Sequence, residues 1–178
     1  MHRRHGSDGD RVAMRQSAAN FGFNGQHTTR FGKSRLKYVF TMEGVTLSCG
    51  SALLQAANES QPPTVSLTWT SGRKKVFGGV VRVLPVHEGG GARWPRPVSM
   101  ACSLTSSSKA SSRFEARHSK VVLRIEGTRA ARSKLVGTLD LATFAGYERT
   151  STKVTIPLEH GAGSLQLDLT CGWLKKSA

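Results

Sequence analysis

Apolar and polar residues alternate with a period of two in several segments of the chain. In segment 35–42, Leu36, Tyr38, Phe40 and Met42 occupy every second position. The other segments with clear alternation are 64–70, 120–126 and 164–171, and those with weaker alternation are 80–84, 98–104, 135–141 and 154–158. This period places one side of a strand on a core and the other in water. Turns rich in Gly, Pro and Ser separate the segments, so the pattern predicts an all-β fold, an eight-stranded antiparallel β-sandwich.

The chain divides into two parts of different character. Residues 1–34 are rich in Gly, Asn, Gln, Ser, Arg and His and show no periodicity, which predicts a disordered basic N-terminal arm. Residues 35–178 carry the strand pattern and form the predicted sandwich domain. Within it, we expect a short helix around 52–57, a short turn at 142–147 and a Ser-rich loop at 103–112.

Net charge narrows the class of partner. The 178 residues contain 26 Lys and Arg against 11 Asp and Glu, a formal charge of +15. Residues 1–37 contain eight of these cations but only two acidic residues, Asp8 and Asp10, and the remainder of the chain is also basic. Such a charge favours an anionic partner: a lipid surface, an acidic protein or nucleic acid.

Targeting and redox signals favour a reducing compartment. Three widely spaced cysteines, Cys49, Cys102 and Cys171, form no CxxC pair, which predicts free thiols rather than a disulfide framework or a zinc site. No run reaches eighteen apolar residues, and the Arg-rich N-terminus lacks the apolar stretch of a secretory signal. We therefore expect a cytoplasmic protein at the periphery of a membrane or the cytoskeleton, with a mitochondrial address as the alternative.

No catalytic or metal-ligating constellation stands out. The sequence lacks GxSxG and HExxH motifs, and Gly89–Gly91 lacks the Lys-Ser/Thr of a phosphate loop. Calcium needs six to eight oxygen ligands gathered in loops. The four Asp residues do not supply them, because Asp8 and Asp10 lie in the arm and Asp140 and Asp168 fall at outward strand positions. We predict no enzyme activity, no metal and no cofactor.

One stretch of the chain has a specific order of motifs: Leu135-Val-Gly-Thr-Leu-Asp-Leu-Ala142, followed by Ile156-Pro-Leu158 and the strand 164–171. This order resembles the N-terminal type of C2 domain, found in EH-domain-binding adaptors, early-oestrogen-induced proteins and plant plastid-movement proteins. Within the first of these motifs, Gly137 predicts a bulge or a close backbone approach. The resemblance covers residues 35–175. The sequence differs from the adaptors in that it does not show their long C-terminal extensions. The resemblance implies a C2-like, calcium-independent, non-enzymatic binding module.

Basic clusters are the candidate binding residues. The candidates in the sandwich are Arg73, Lys74 and Lys75 in a turn, Arg82 on the next strand, and Arg129, Arg132 and Lys134 after Ile125. The candidate contacts of the arm and its junction are Phe21, Phe23, Arg30, Phe31, Lys33 and Arg35. C2 domains bring such basic patches to anionic lipid headgroups, whereas solvated turns are the ordinary role of Lys and Arg.

Two functions fit these residues. The first is a C2-like module that attaches to anionic membranes or to trafficking or cytoskeletal partners. The alternative is a structural subunit of a large assembly, a microtubule-based axoneme or a ribonucleoprotein, tethered by the basic arm. Tubulin or RNA would satisfy the charge, although the chain lacks an RNA-recognition motif.

Overall fold

The computed structural model describes residues 35–106, 113–127, 134–146 and 148–174. They form two antiparallel sheets packed face to face, so the predicted all-β sandwich is confirmed. The strands are β1 (Arg35–Cys49), β2 (Thr64–Ser71), β3 (Lys74–Arg82), β4 (Ala92–Trp94), β5 (Val98–Thr105), β6 (His118–Glu126), β7 (Lys134–Asp140), β8 (Thr150–Pro157) and β9 (Gly163–Trp173). The helical elements are α1 (Ser51–Ala56) and three 3₁₀ turns, Val86–Glu88, Leu141–Phe144 and Glu159–Gly161.

The five-stranded sheet is organised around β1. This strand has fifteen residues and pairs along one side with β9, which in turn pairs with the edge strand β8. Its other side pairs with β5 from Arg35 to Met42 and with β4 from Val45 to Leu47. A register shift between Glu43 and Thr46 separates these two halves of the strand.

The four-stranded sheet has the order β3-β2-β6-β7. Strands β2 and β3 form a hairpin whose last pair is Ser71 with Lys74, so Gly72 and Arg73 are its two-residue loop. Strand β6 is not adjacent to β3 in the sheet but pairs with β2, from Thr64–Glu126 to Thr70–Lys120. Strand β7 closes the other edge.

The core lies between the inner faces of the two sheets. Its largest fully buried side chains include Trp69 and Leu67 from β2, Tyr38 and Phe40 from β1, and Leu123 from β6. Each occupies the apolar phase of a period-two segment, which is why the sequence predicts the core well. Full burial of such side chains stabilises the fold by about 1.5–3 kcal/mol each.

Gly137 in β7 marks a close contact between the sheets. A Cβ atom there would lie 2.6 Å from Cγ2 of Ile156, and Gly137 forms an isolated bridge with Leu158. The predicted close backbone approach at this glycine is therefore confirmed. The absence of a side chain lets the end of β8 pack directly onto β7.

The structure also differs from the sequence-based expectations. Strand β3 begins at Lys74 rather than at Val80, and the three-residue β4 was not expected, because three residues are too few to establish an alternation. The predicted helix at 52–57 corresponds to α1, and the predicted turn at 142–147 to the 3₁₀ turn Leu141–Phe144. None of the helices in the described part of the chain has the length and apolar character needed to span a membrane.

Candidate functional site

Strand register assigns the exposed side chains of the four-stranded sheet to one outer surface, here called the basic face. Cross-strand partners project from the same side of a sheet, so each set of partners forms a row. The rows are Lys75–Thr70–Lys120–Thr138, then Phe77–Thr68–Val122–Val136, then Val80–Ser66–Arg124–Lys134, and last Arg82–Thr64–Glu126. Adjacent rows lie about 7 Å apart along the strands.

A β-bulge in β3 determines which of its residues reach the basic face. Leu67 pairs with Gly79 while Thr68 pairs with Phe77, so Gly78 is the extra residue. Gly79 has φ +104°, a conformation that L side chains rarely adopt, and a Cβ on Gly78 would lie 2.6 Å from Cδ2 of Leu67. The bulge shifts the alternation by one residue, and both Phe77 and Val80 therefore face outward.

Phe77 and Val80 are unusually exposed for apolar side chains. Their exposed fractions are 62% and 58%. Val122 and Val136, in the same row as Phe77, are half-buried on the same surface. The middle of the basic face therefore carries an apolar band rather than a uniform charge.

Cations flank this apolar band on both sides. Lys75 and Lys120 occupy the row before it, and Arg124 and Lys134 share the row after it with Val80. All four are exposed. Long basic side chains around a short apolar band can contact anions while their stems cover neighbouring apolar surface.

Two acidic residues lie at the ends of the basic face. Glu126 pairs with Thr64 in the last row, and Asp140 pairs with His118 at the opposite end. The Asp140 carboxylate accepts hydrogen bonds from the backbone N–H groups of Arg117, at 2.7 Å, and Ala142, at 3.0 Å. Asp140 thus caps the 3₁₀ turn after β7, and among the described residues the charged side chains at the centre of the face are cations.

The predicted basic turn 73–75 separates into three environments. Arg73 lies in the hairpin loop, whereas Lys74 and Lys75 are the first residues of β3. The Lys74 ammonium donates a hydrogen bond to the carbonyl of Ala101 in β5, across the gap between the two sheets. Lys75 points onto the basic face. Lys74 therefore joins sheet edges, and Lys75 is the residue of this turn that belongs to the basic face.

Arg82 lies at the far end of the basic face beside an acid. Its guanidinium is 3.6 Å from the Glu88 carboxylate, which is also 3.7 Å from the His87 imidazole. These side chains are largely solvent-exposed, so the pairing is weak. Glu88 nevertheless reduces the positive charge that Arg82 adds to the face.

The hairpin end is held by Arg117, just before β6. Its side-chain Nε donates to Oγ of Ser71 at 3.1 Å, and its carbonyl accepts from the N–H of Leu141 at 2.9 Å. Together with the bond to Asp140, these contacts tie the end of β2 to the ends of β6 and β7. The basic face is consequently built on hydrogen-bonded strands rather than on loops.

The outer face of the five-stranded sheet has a different character. Glu43 and Asp168 are Cα partners near its middle, and Thr41 and Ser99 share a hydrogen bond of 2.8 Å. An open groove on this side is lined by Val39, Thr41, Arg149, Thr170, Gly172, Trp173 and Leu174. Lys153 of β8 is the strand partner of Asp168, so acids and cations share this face, which makes it a poorer match for an anionic surface than the basic face.

Metal and thiol chemistry receive little support from the geometry. Within the described residues, no group of three or more His, Cys, Asp or Glu side chains is placed to hold a metal ion. Calcium independence itself stays a prediction. Burial raises the pKa of the Cys49 and Cys171 thiols above the ordinary value, which lowers their thiolate fraction and their reactivity.

The structure brings together only part of the predicted site. Lys75, Arg82 and Lys134 lie on the basic face, Arg73 lies at its hairpin end, and Lys74 bonds the edge strand β5 of the other sheet. Arg35 is the first residue of β1 and pairs with Thr105 of β5. The predicted residues outside the described part of the chain are Phe21, Phe23, Arg30, Phe31, Lys33, Arg129 and Arg132.

Sequence reasoning missed four residues of the basic face. Lys120 and Arg124 occupy outward positions in segment 120–126. The alternation of this segment could therefore have identified them. Phe77 and Val80 could not be assigned in this way, because the bulge breaks the alternation between them.

Comparison with known proteins finds similarity to solved structures but not to known sequences. Neither a protein-family model nor a curated protein sequence matches the chain. Among solved structures, the chain is similar to a C2 domain of plant extended synaptotagmin 1, with 9% sequence identity and a TM-score of 0.45. The match covers 80% of this chain and 98% of that domain. Membership in the N-terminal C2 family stays a prediction from the sequence.

Proposed function

We propose that this protein is a non-enzymatic, calcium-independent, C2-like binding module that attaches to anionic phospholipid surfaces through the basic face. The observation that supports the proposal is the row order: exposed Lys75 and Lys120 on one side of an apolar band, Arg124 and Lys134 on the other. Each basic residue near an anionic leaflet contributes about 1 kcal/mol. Four such residues are enough for reversible attachment.

The apolar band favours a lipid surface over other anionic partners. RNA-binding sheets present several aromatic rings for base stacking, whereas Phe77 is the single aromatic residue among the described rows of the basic face. Aliphatic Val80, Val122 and Val136 offer no stacking surface but are compatible with the boundary between headgroups and acyl chains. An acidic protein such as tubulin would pair with the cations but would leave the exposed apolar band without a contact.

Vesicle flotation tests this proposal. We expect the full chain to float with vesicles that contain phosphatidylserine and not with pure phosphatidylcholine vesicles. Binding should weaken as salt rises and should persist in EDTA, since no calcium is involved. Binding to tubulin or RNA in the absence of any lipid binding would replace the proposed function with the assembly role.

A further inference from the structure

We infer that the basic face distinguishes loosely packed, highly curved anionic membranes from flat ones, and that Phe77 and Val80 make this distinction; the inference rests on the proposed lipid-binding role. The two side chains are among the four large apolar residues that the described part of the chain exposes. They lie on one strand, in adjacent rows of the face that carries the cations.

The exposure of this pair is produced by the bulge in β3. A regular strand would place Phe77 and Val80 on opposite faces, because they are three residues apart. The extra residue, Gly78, has no room for a side chain, and Gly79 adopts a left-handed conformation. Glycine weakens a strand interior, but here the Gly79 carbonyl accepts a hydrogen bond of 3.2 Å from Nε1 of Trp94, so the bulge also joins β3 to β4. Its consequence is that Val80 joins Phe77 outside.

The lengths of the side chains explain why membrane packing should matter. Lys75, Lys120 and Arg124 project from the same plane as Phe77 and are at least as long. When their charged ends contact phosphates of a densely packed leaflet, the Phe77 ring is held at headgroup level. Phe77 and Val80 contact acyl carbons only where headgroups are spread apart, as on small, curved vesicles.

Burial of a Phe side chain contributes about 1.5–3 kcal/mol, and partial burial corresponds to about a tenfold gain in affinity. This gain should appear on curved membranes alone. The cations, by contrast, should contribute equally on both membranes, since they reach the phosphates in either case. The cations thus determine whether the protein binds an anionic membrane, and Phe77 and Val80 determine whether it prefers a curved one.

The test compares small sonicated and large extruded vesicles of one phosphatidylserine–phosphatidylcholine composition, at equal accessible lipid. We expect the full chain to bind the small vesicles about tenfold more tightly. Phe77→Ser should bring this ratio close to one, because it weakens binding to the small vesicles about tenfold. Leu174→Ser, which removes an apolar residue that is 44% exposed directly after β9 and away from the basic face, should keep the ratio. Circular-dichroism melting verifies that each variant is folded.

Equal affinity of the unmodified chain for both vesicle sizes would overturn the inference and leave the proposed function standing. A size ratio that Phe77→Ser leaves unchanged would also overturn it, because curvature would then be read by another part of the chain. If the chain binds neither vesicle, the proposed function itself fails, and the curvature inference fails with it.

Discussion

Phe77 and Val80 are three residues apart on one strand, yet their side chains project from the same face of the sheet. The extra residue at Gly78 causes this, since it shifts the alternation between the two positions. The arrangement exposes an apolar pair between basic rows. The proposed preference for curved membranes depends on this bulge, whereas the proposed lipid-binding role depends on the cations around it.

The bulge should be sensitive to any side chain at Gly78. In Gly78→Ala, the new Cβ would lie 2.6 Å from Cδ2 of Leu67 and 3.0 Å from Cγ2 of Val98. We expect a loss of about 1–3 kcal/mol in the free energy of unfolding, measured by urea denaturation. Gly172→Ala is the matched control, because no heavy atom lies within 4 Å of its Cβ position. Equal stability of both variants would mean that the bulge is not closely packed.

The fold could be predicted from the sequence where one face of a strand is buried and the other solvated. Strands β2, β6 and β9 follow their alternation almost residue for residue. Strand β3 does not, because it is an edge strand with a bulge, and its burial pattern has lost the period of two. The missed residues Phe77 and Val80 lie at this irregularity.

Lys74 and Lys75 should separate stability from binding. Lys74→Met removes the donor to the Ala101 carbonyl, so we expect a loss of about 1 kcal/mol in unfolding free energy and little change in vesicle affinity. Lys75→Met should leave the stability unchanged and lower the affinity for anionic vesicles about fivefold, as one basic residue contributes about 1 kcal/mol. Identical effects of the two substitutions on both measurements would contradict the assignment.

The Asp140 carboxylate should matter as a hydrogen-bond acceptor rather than as a charge. Its Oδ1 atom accepts from both Arg117 N and Ala142 N. Asp140→Ala should lower the midpoint of thermal unfolding, with a cost of about 1–2 kcal/mol, because two backbone donors lose their partner. Asp140→Asn keeps an acceptor oxygen at the same position and should retain most of the stability. If Asp140→Asn lost as much stability as Asp140→Ala, the negative charge rather than the acceptor oxygen would be what stabilises the turn.

Thiol reactivity follows from burial. Because burial raises the pKa of Cys49 and Cys171, less thiolate is present in the folded protein at neutral pH than in a free cysteine. Alkylation of these thiols by iodoacetamide should be slow near neutral pH and accelerate as the pH is raised. When the chain is alkylated in urea, which unfolds it, mass spectrometry should show fast modification of the same thiols. Fast modification under native conditions would contradict their burial.

The candidate site was less predictable than the fold. Clustering along the sequence selected Arg73, Lys74 and Lys75 together, but strand pairing directs Lys74 towards the edge of the other sheet and Lys75 onto the basic face. Conversely, Lys75 and Lys120 are distant in sequence and become neighbours of Thr70 through β2. Binding surfaces on sheets depend on register, which composition and local charge do not specify.

The most direct test of the central claim is the affinity of matched charge variants for phosphatidylserine-containing vesicles. Lys120→Gln with Arg124→Gln removes two charges from the centre of the basic face, and Lys37→Gln with Lys153→Gln removes two exposed charges from the five-stranded sheet. At about 1 kcal/mol per residue, the first pair should weaken binding about 30-fold. The second pair should leave affinity nearly unchanged. Equal weakening by both pairs, or loss in the second pair alone, would contradict binding through the basic face.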